Sequence, residues 1–182
     1  GAWRFTQRLW RLIVTRLDAL PAIGTPMPNE LGEPASELRR AIHKTIAGVS
    51  EDIEQFHFNK AVARIYELTN EVSAFAGPDS DGGGAAALDA GKAWVLREAF
   101  EALIRLIGPM MPHLGEELWQ RLGQSTLLAE TAWPKADKAL TIDDHVTVAV
   151  QVNGKLRSTV MLPRGLVREA AESAALADEA VQ

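Results

Sequence analysis

The chain has 182 residues, which is enough to bury a sizeable core and to form one domain or two. It contains no cysteine, which excludes disulfides and cysteine-based zinc sites, and its net charge of −5 means that binding to nucleic acid would need a local basic surface. No apolar run reaches about 18 residues, so we expect a cytoplasmic protein with no association with a membrane. Because the chain starts at Gly1 inside a helical pattern, we also expect it to be a piece of a longer protein.

A first helix is predicted over residues 2–20, with two distinct faces. Its apolar face is expected to contain Trp3, Trp10, Ile13, Val14 and Leu17. Arg4, Arg8 and Arg11 follow at helical spacing and form a second, basic face. Since arginine pairs bidentately with phosphate, this face is either a phosphate-binding stripe or an ordinary solvated surface.

The second helix follows a proline-rich loop. Residues 21–34 contain four prolines and two glycines without periodicity, which is typical of a surface loop. From residue 35 or 36 an apolar stripe indicates a helix, and it consists of Leu38, Ile42, Ile46, Val49, Ile53 and Phe56. Arg39, Arg40 and Lys44 lie off this stripe and form a second candidate phosphate patch or, again, a solvated surface.

Two further helices are predicted between residues 59 and 107. A third helix is predicted over residues 59–76, with Asn59 as its N-cap. Its core face is expected to consist of Phe58, Val62, Ile65, Leu68, Val72 and Phe75. A glycine-rich turn over residues 77–84 precedes a fourth helix, which is predicted over residues 85–107.

A rigid corner joins the fourth helix to a fifth. Gly108 can end the fourth helix and Pro109 cannot continue it, whereas Pro112 suits the first turn of the next helix. The fifth helix carries one buried stripe, formed by Leu114, Leu118 and Leu122, with Trp119 beside it. His113 and Glu116 lie one turn apart, but because no third ligand is indicated we predict no metal site.

The pattern changes from helix to strand near residue 141. Residues 125–144 have no period, and Trp133 is expected to dock this connector on the bundle. Four alternating valines, Val146, Val148, Val150 and Val152, then predict a strand, and residues 156–162 predict a second. For the hairpin at Asn153-Gly154, a three-residue loop would pair Val150 with Leu156 and Val146 with Val160, which keeps the faces uniform, so we predict it.

A last helix is predicted over residues 166–181. The fold class is therefore mainly α: a helical bundle over residues 1–140, followed over residues 141–182 by a small, incomplete α+β module with a β-hairpin. Two strands alone are marginally stable, so we expect further strands beyond this module.

Several segments resemble the helical anticodon-binding domain of class I aminoacyl-tRNA synthetases. PMMPHLGEELWQRLG (residues 109–123) resembles the family pattern P-(F/M)-x-P-H-x-x-E-E-L-W, and WRFTQRLWRLI (residues 3–13) resembles its opening helix, R-F-x-x-(K/R)-x-W. SEDIEQFHFNKAVARIYELTN (residues 50–70) resembles the helical hairpin of the same domain. VAVQVNGKLRSTV (residues 148–160) resembles the start of the C-terminal domain of the bacterial leucine-specific branch.

The resemblance implies a tRNA-binding region of a ligase whose catalytic and editing domains lie elsewhere in the same polypeptide. The implied partner is tRNA(Leu), and the full-length enzyme would use ATP and Mg²⁺. The predicted tRNA contacts are Arg4, Arg8, Arg11, Arg39, Arg40 and Lys44, with Lys155 and Arg157 in the C-terminal module. No catalytic residue is predicted here, because neither ATP-binding signature of the family occurs, and we expect a monomer.

Two alternatives remain open at this stage. The first is the same region of a valine-, isoleucine- or methionine-specific enzyme, whose tail would differ. The second is a helical protein-interaction scaffold whose arginines are only solvated, which predicts no affinity for RNA.

Overall fold

The computed structural model describes residues 1–77, 88–142, 145–152, 155–163 and 172–173. In these ranges the chain is mainly helical with one two-stranded antiparallel sheet, which confirms the predicted fold class. It divides into two compact units, Gly1–Thr141 and Ile142–Gln182. The elements are α1 (Ala2–Val14), α2 (Glu33–Glu54), α3 (Phe58–Ala76), α4 (Ala90–Ile107), α5 (Pro112–Arg121), α6 (Lys138–Thr141), β1 (His145–Val152) and β2 (Lys155–Pro163), with short 3-10 turns at Leu17–Ala19 and Leu128–Glu130.

The first unit is a bundle in which α4 is the most buried helix. α2 packs against α3, α4 and α6, and α4 also contacts α3 and α5. A helix that is apolar on most sides is found inside a bundle, and the sequence of α4 has this property. Its fully buried side chains include Val95, Leu96, Ala99, Phe100, Leu103, Ile104 and Leu106.

The predicted corner between α4 and α5 is confirmed. α4 ends at Ile107 with Gly108 as its C-cap, and α5 begins at Pro112. A Cβ atom built on Gly115 would lie 2.7 Å from Cδ2 of Leu128 and 3.3 Å from Cα of Gly108. A larger residue at this position would have to displace Leu128 or the end of α4, so glycine suits the close approach of α5 to α4.

Two helices end in the same hydrogen-bonded motif but with different residues at its left-handed position. After α5, the amide of Gln124 donates to the carbonyl of Trp119, and Gly123 has φ +90°. After α2, the amide of His57 donates to the carbonyl of Asp52, and the amide of Phe56 donates to that of Ile53. This pair of bonds defines a Schellman motif. Here the left-handed residue is a phenylalanine, at φ +60°.

The proline-rich loop before α2 is fixed to α4. Nε of Arg97 donates to the carbonyl of Pro21 at 2.5 Å, and the indole N–H of Trp94 donates to the carbonyl of Thr25 at 2.9 Å. The loop also lies against the start of α4, where a Cβ on Gly91 would lie 2.7 Å from the carbonyl oxygen of Leu31. The loop is therefore packed against the bundle.

The connector after α5 runs along α2. The indole N–H of Trp133 donates to Oγ of Ser50 at 2.8 Å, which is the expected docking contact, although the ring remains 37% exposed. The amide of Asp137 donates to Nδ1 of His43 at 3.0 Å. The short helix α6 follows and was not predicted, because four residues carry no recognisable period.

Four apolar residues that the sequence pattern assigns to the core are exposed. Trp3 is 73% exposed and Phe56 is 79% exposed, while Phe58 and Val62 are 49% and 38% exposed. The predicted face of α1 was shifted, since its buried residues are Phe5, Leu9, Leu12 and Ile13, with Trp10, Val14 and Leu17 only partly buried beside them. Trp3, Phe56 and Phe58 lie at the ends of helices. Such residues can follow the helical period without facing a neighbouring helix, which explains why they were wrongly assigned to the core.

Three predicted helix limits were wrong. Asn59 is not the N-cap of α3, because the preceding turn places His57 in that position. α4 begins after Asp89, whose carboxylate accepts from the amide of Lys92 and caps the helix. α1 ends at Val14, six residues before the predicted limit at residue 20. Beyond its end, the Arg16 guanidinium donates a hydrogen bond to the carbonyl of Leu12.

The predicted register of the hairpin was also wrong. Val152 lies opposite Lys155, whereas the three-residue loop would have paired Val150 with Leu156. Val150 instead lies opposite Ser158. The residues of the connection itself, 153–154, lie outside the described part of the chain.

The pairing of β1 with β2 contains a register shift. The pairing moves by one residue between Val150 and Gln151, so that Arg157 is the extra residue of a bulge. Beyond the bulge Val148 faces Val160 and Val146 faces Leu162, not Val160 as predicted. The predicted turn at 77–84, apart from Gly77, and the predicted helix at 166–181, apart from residues 172–173, lie outside the described residues.

Candidate nucleic-acid interface

The three arginines of α1 lie together on an exposed surface. Leu9 and Ile13 are fully buried on the opposite side of the helix, whereas Arg4, Arg8 and Arg11 are exposed and face outward. They line an open groove of about 380 Å³ between α1 and α3, here called the arginine groove. Its lining residues are Trp3, Arg4, Gln7, Arg8, Arg11, Leu12 and Ser73.

The charge of the arginine groove is not neutralised by the described residues. Among the ion pairs within 4.0 Å in the described part of the chain, none involves Arg4, Arg8 or Arg11. Three guanidinium groups within seven residues of one helix therefore give a local positive surface on a chain of negative net charge. Such a surface attracts a polyanion.

The basic residues of α2 have a different environment. Nε of Arg39 lies 3.1 and 3.3 Å from the two carboxylate oxygens of Glu98, and its guanidinium lies over the ring of Trp94 at 5.5 Å from the centroid. Arg40 pairs with Glu33 at 3.0 Å. Lys44 is half-buried one turn further along α2. None of these α2 side chains lines the arginine groove, and the charge of Arg39 is used within the bundle.

The two basic residues of the second unit lie on β2. Lys155 is the first residue of the strand and Arg157 is the bulged residue. A bulge interrupts the alternation of side chains along a strand, so it changes the direction in which the neighbouring residues point. The side chains of these two residues lie outside the described part of the structure.

The structure adds four groove residues to those predicted. Trp3, Gln7, Leu12 and Ser73 line the groove with the arginines, and Trp3 offers an exposed aromatic ring. The signal was present in the spacing, because Trp3, Gln7 and Arg11 recur every four residues and share one side of the helix. Ser73 could not have been found, since it comes from α3.

Comparison with known proteins identifies the class to which this bundle belongs. The family model described as the anticodon-binding domain of tRNA ligase matches residues 35–172. The chain therefore belongs to this family of anticodon-binding domains.

The relatives are more specific than the family model. The chain is 57% identical over 181 residues to the leucine–tRNA ligase of Paramagnetospirillum magneticum and 49% identical to that of Parvibaculum lavamentivorans. In both cases the match covers 100% of this chain but 20% of the relative, so the chain spans about a fifth of the length of these curated relatives. A crystal structure of the ternary complex of Agrobacterium radiobacter K84 agnB2 LeuRS, tRNA and LeuAMS superposes with a TM-score of 0.78 and 32% identity, covering 98% of this chain and 22% of that chain.

In the described residues no helix is both long and apolar enough to cross a membrane. The same part of the chain contains no cluster of three potential metal ligands. Glu116, which lies one turn from His113 on α5, accepts hydrogen bonds from the amides of Leu128 and Ala129 at 2.8 and 3.0 Å.

Proposed function

We propose that this chain is the tRNA-binding region of a leucine–tRNA ligase and that it holds tRNA(Leu) while a catalytic domain outside this chain attaches leucine. The whole-length match to leucine–tRNA ligases and the likeness to a LeuRS–tRNA complex support this assignment. In the full-length enzyme the ATP and Mg²⁺ needed for leucine activation would bind to the catalytic domain. The valine, isoleucine and methionine alternatives are disfavoured by the same relatives.

The observation that carries the proposal on this chain is the unneutralised arginine groove. Arg4, Arg8 and Arg11 present bidentate donors along one helix, which suits successive phosphates of an RNA backbone. A-form RNA is recognised mainly through shape and through its phosphates and sugars, so a groove without base-specific donors is adequate. Trp3 adds a ring on which an unpaired base can stack.

The remaining basic residues have secondary roles in this proposal. Arg40 and Lys44 would contact the tRNA from α2, whereas Arg39 acts mainly through its pair with Glu98. Lys155 and Arg157 would contact tRNA from the second unit, near the outer corner of the molecule.

The test is a binding titration of the 182-residue chain with tRNA(Leu) over a series of salt concentrations. The informative variant replaces Arg4, Arg8 and Arg11 with alanine. The matched control replaces Lys60, Lys135 and Lys138, which are also exposed and remove the same charge elsewhere. We expect weak, salt-sensitive binding that the arginine variant loses and the lysine variant keeps.

Other outcomes decide against parts of the proposal. Equal loss in both variants would show that only net charge matters, and the arginine groove would not be the binding site. Retained binding in the arginine variant would move the site to α2 or to the second unit. If a full-length protein containing this chain neither binds nor charges tRNA(Leu), the assignment as a ligase region is wrong and the interaction scaffold is favoured.

A further inference from the structure

One end of the first unit carries an apolar surface, here called the Phe56 surface, in which Phe56, Phe58 and Val62 are exposed and Met110 and Met111 are half-buried. The rings of Phe56 and Phe58 meet edge to face, with centroids 6.1 Å apart. Val62 lies one turn beyond Phe58 on α3 and lines an apolar cavity of about 160 Å³ with Met110 and Met111. Exposed apolar surfaces of this kind mark sites of interaction.

The turn that presents Phe56 is strained. Its Schellman motif requires a left-handed residue, and glycine is the usual choice because a side chain is disfavoured there. The same motif after α5 has Gly123, whereas this one has a phenylalanine at φ +60° that is 79% exposed. A strained residue that gains nothing from burial within its own domain points to a role at a contact outside it.

The charges around the Phe56 surface do not suit RNA. Glu51 and Glu54 are exposed on the last turn of α2, immediately before Phe56. The carboxyl end of α2 and the amino end of α3 meet at this turn, so their helix dipoles offset each other. Because Glu51 and Glu54 outnumber the exposed Lys60, the local charge remains negative, which favours a protein partner over tRNA.

We propose that the Phe56 surface is the docking face for the part of the full-length ligase that precedes α1. This inference rests on the proposed function, under which the chain is about a fifth of a longer polypeptide, as its matches to relatives indicate. The first turn of α1 lies beside the surface, because Ala2 and Phe5 line the same cavity as Val62, Met110 and Met111. A segment that enters α1 therefore arrives at the Phe56 surface, and the flanking domain can bury it.

The test compares the isolated chain with a full-length chimera. In the chimera the 182 residues replace the matching region of the Paramagnetospirillum magneticum leucine–tRNA ligase. Hydrogen–deuterium exchange of the amides of residues 56–62 is measured in both proteins, and we expect it to slow by about tenfold or more in the chimera. Replacing Phe58 and Val62 with serine should remove this protection, while the control Leu127→Ser, at an exposed apolar residue outside the surface, should preserve it.

Phe56→Gly separates docking from folding. In the isolated chain it should raise the Tm by about 2–4 °C, because glycine relieves the left-handed strain. In the chimera it should reduce the protection of residues 56–62 despite this gain. A variant that merely damaged the fold would lower both quantities.

Each alternative to this proposal predicts a different experimental result. Equal exchange in the two proteins would show that nothing in the enzyme covers the surface. Protection of the isolated chain by added tRNA would make RNA the occupant, and self-association of the isolated chain that Phe58→Ser abolishes would make a second copy the occupant. A chimera that charges tRNA(Leu) without protecting residues 56–62 refutes only this inference, whereas a folded chimera that cannot charge tRNA refutes the proposed function.

Discussion

The imidazole of His43 on α2 accepts a hydrogen bond at Nδ1 from the amide of Asp137, 94 residues later in the chain. Its Nε2 lies 3.3 Å from a carboxylate oxygen of Glu98 on α4. Because Nδ1 is the acceptor, the ring proton of the neutral imidazole is on Nε2 and is directed at Glu98. His43 is 8% exposed, so a single side chain joins α2, α4 and the connector in the interior.

We expect His43→Ala to destabilise the first unit by about 1–3 kcal/mol, because it removes both hydrogen bonds and leaves a small cavity. Chemical denaturation measures the loss, and hydrogen exchange should show faster opening at Asp137. His113→Ala is the control, since His113 is exposed on α5. Equal effects of the two substitutions would contradict the role assigned to His43.

We expect Gly91→Ala to be more destabilising than Gly48→Ala, although alanine favours a helix over glycine by up to about 1 kcal/mol. At Gly91 the new Cβ would lie 2.7 Å from the backbone carbonyl oxygen of Leu31, which must move with its loop. At Gly48 the nearest atoms, at 2.9 Å, belong to the end of the Arg64 side chain, which can yield more easily. Thermal unfolding of the two variants gives the order, and the reverse order would show that the loop is not packed as described.

The two Schellman motifs predict opposite effects of substitution. Gly123→Ala should cost about 1 kcal/mol, because its φ of +90° is disfavoured for any residue with a side chain. Phe56→Gly should stabilise the isolated chain by a similar amount, about 1 kcal/mol. Phe56→Ala is the control, since it removes the ring but keeps the strain. If Phe56→Ala stabilised as much as Phe56→Gly, the exposed ring rather than the backbone would be the source of the cost.

Replacing an arginine of α1 should weaken tRNA binding, whereas replacing Arg39 of α2 should lower the stability of the fold. Arg8→Ala should reduce the slope of log K against log salt for tRNA by about 0.7–0.9 and leave stability unchanged, because the side chain is exposed and unpaired among the described residues. Arg39→Ala should leave this slope unchanged but lower stability by about 1 kcal/mol, since it breaks the half-buried pair with Glu98. A reduced slope in Arg39→Ala would place a phosphate at α2.

Local chemistry explains which parts of the fold the sequence could predict. The corner could be located because Pro109 cannot continue a helix and Pro112 suits the first turn of the next one. The burial of α4 follows from its composition, because its apolar residues outnumber its polar ones. Part of the arginine groove could be predicted, because helical spacing aligns Arg4, Arg8 and Arg11. The position of Ser73 could not be predicted, since it depends on tertiary packing.

The register of the hairpin was predicted wrongly because two different connections are compatible with the same alternating sequence. A regular two-residue turn would place Val150 opposite Arg157, and either a longer loop or a bulge at Arg157 avoids this pairing. Periodicity also extended the core stripes of α2 and α3 to Phe56 and Phe58, because it takes no account of where the neighbouring helix ends. No pattern within α2 or the connector indicated that His43 and Asp137 would meet.

The bond between Trp133 and Ser50 has a consequence for the order in which the chain folds. It closes a loop of 83 residues, whereas α2 and α3 are joined by a turn of three. Loop closure costs entropy before a contact stabilises anything, so local helical hairpins form early and distant contacts form late. During synthesis, therefore, the α2–α3 hairpin can assemble while the connector is still being made, and the flank of α2 that receives Trp133 stays open until the last segment of the bundle arrives.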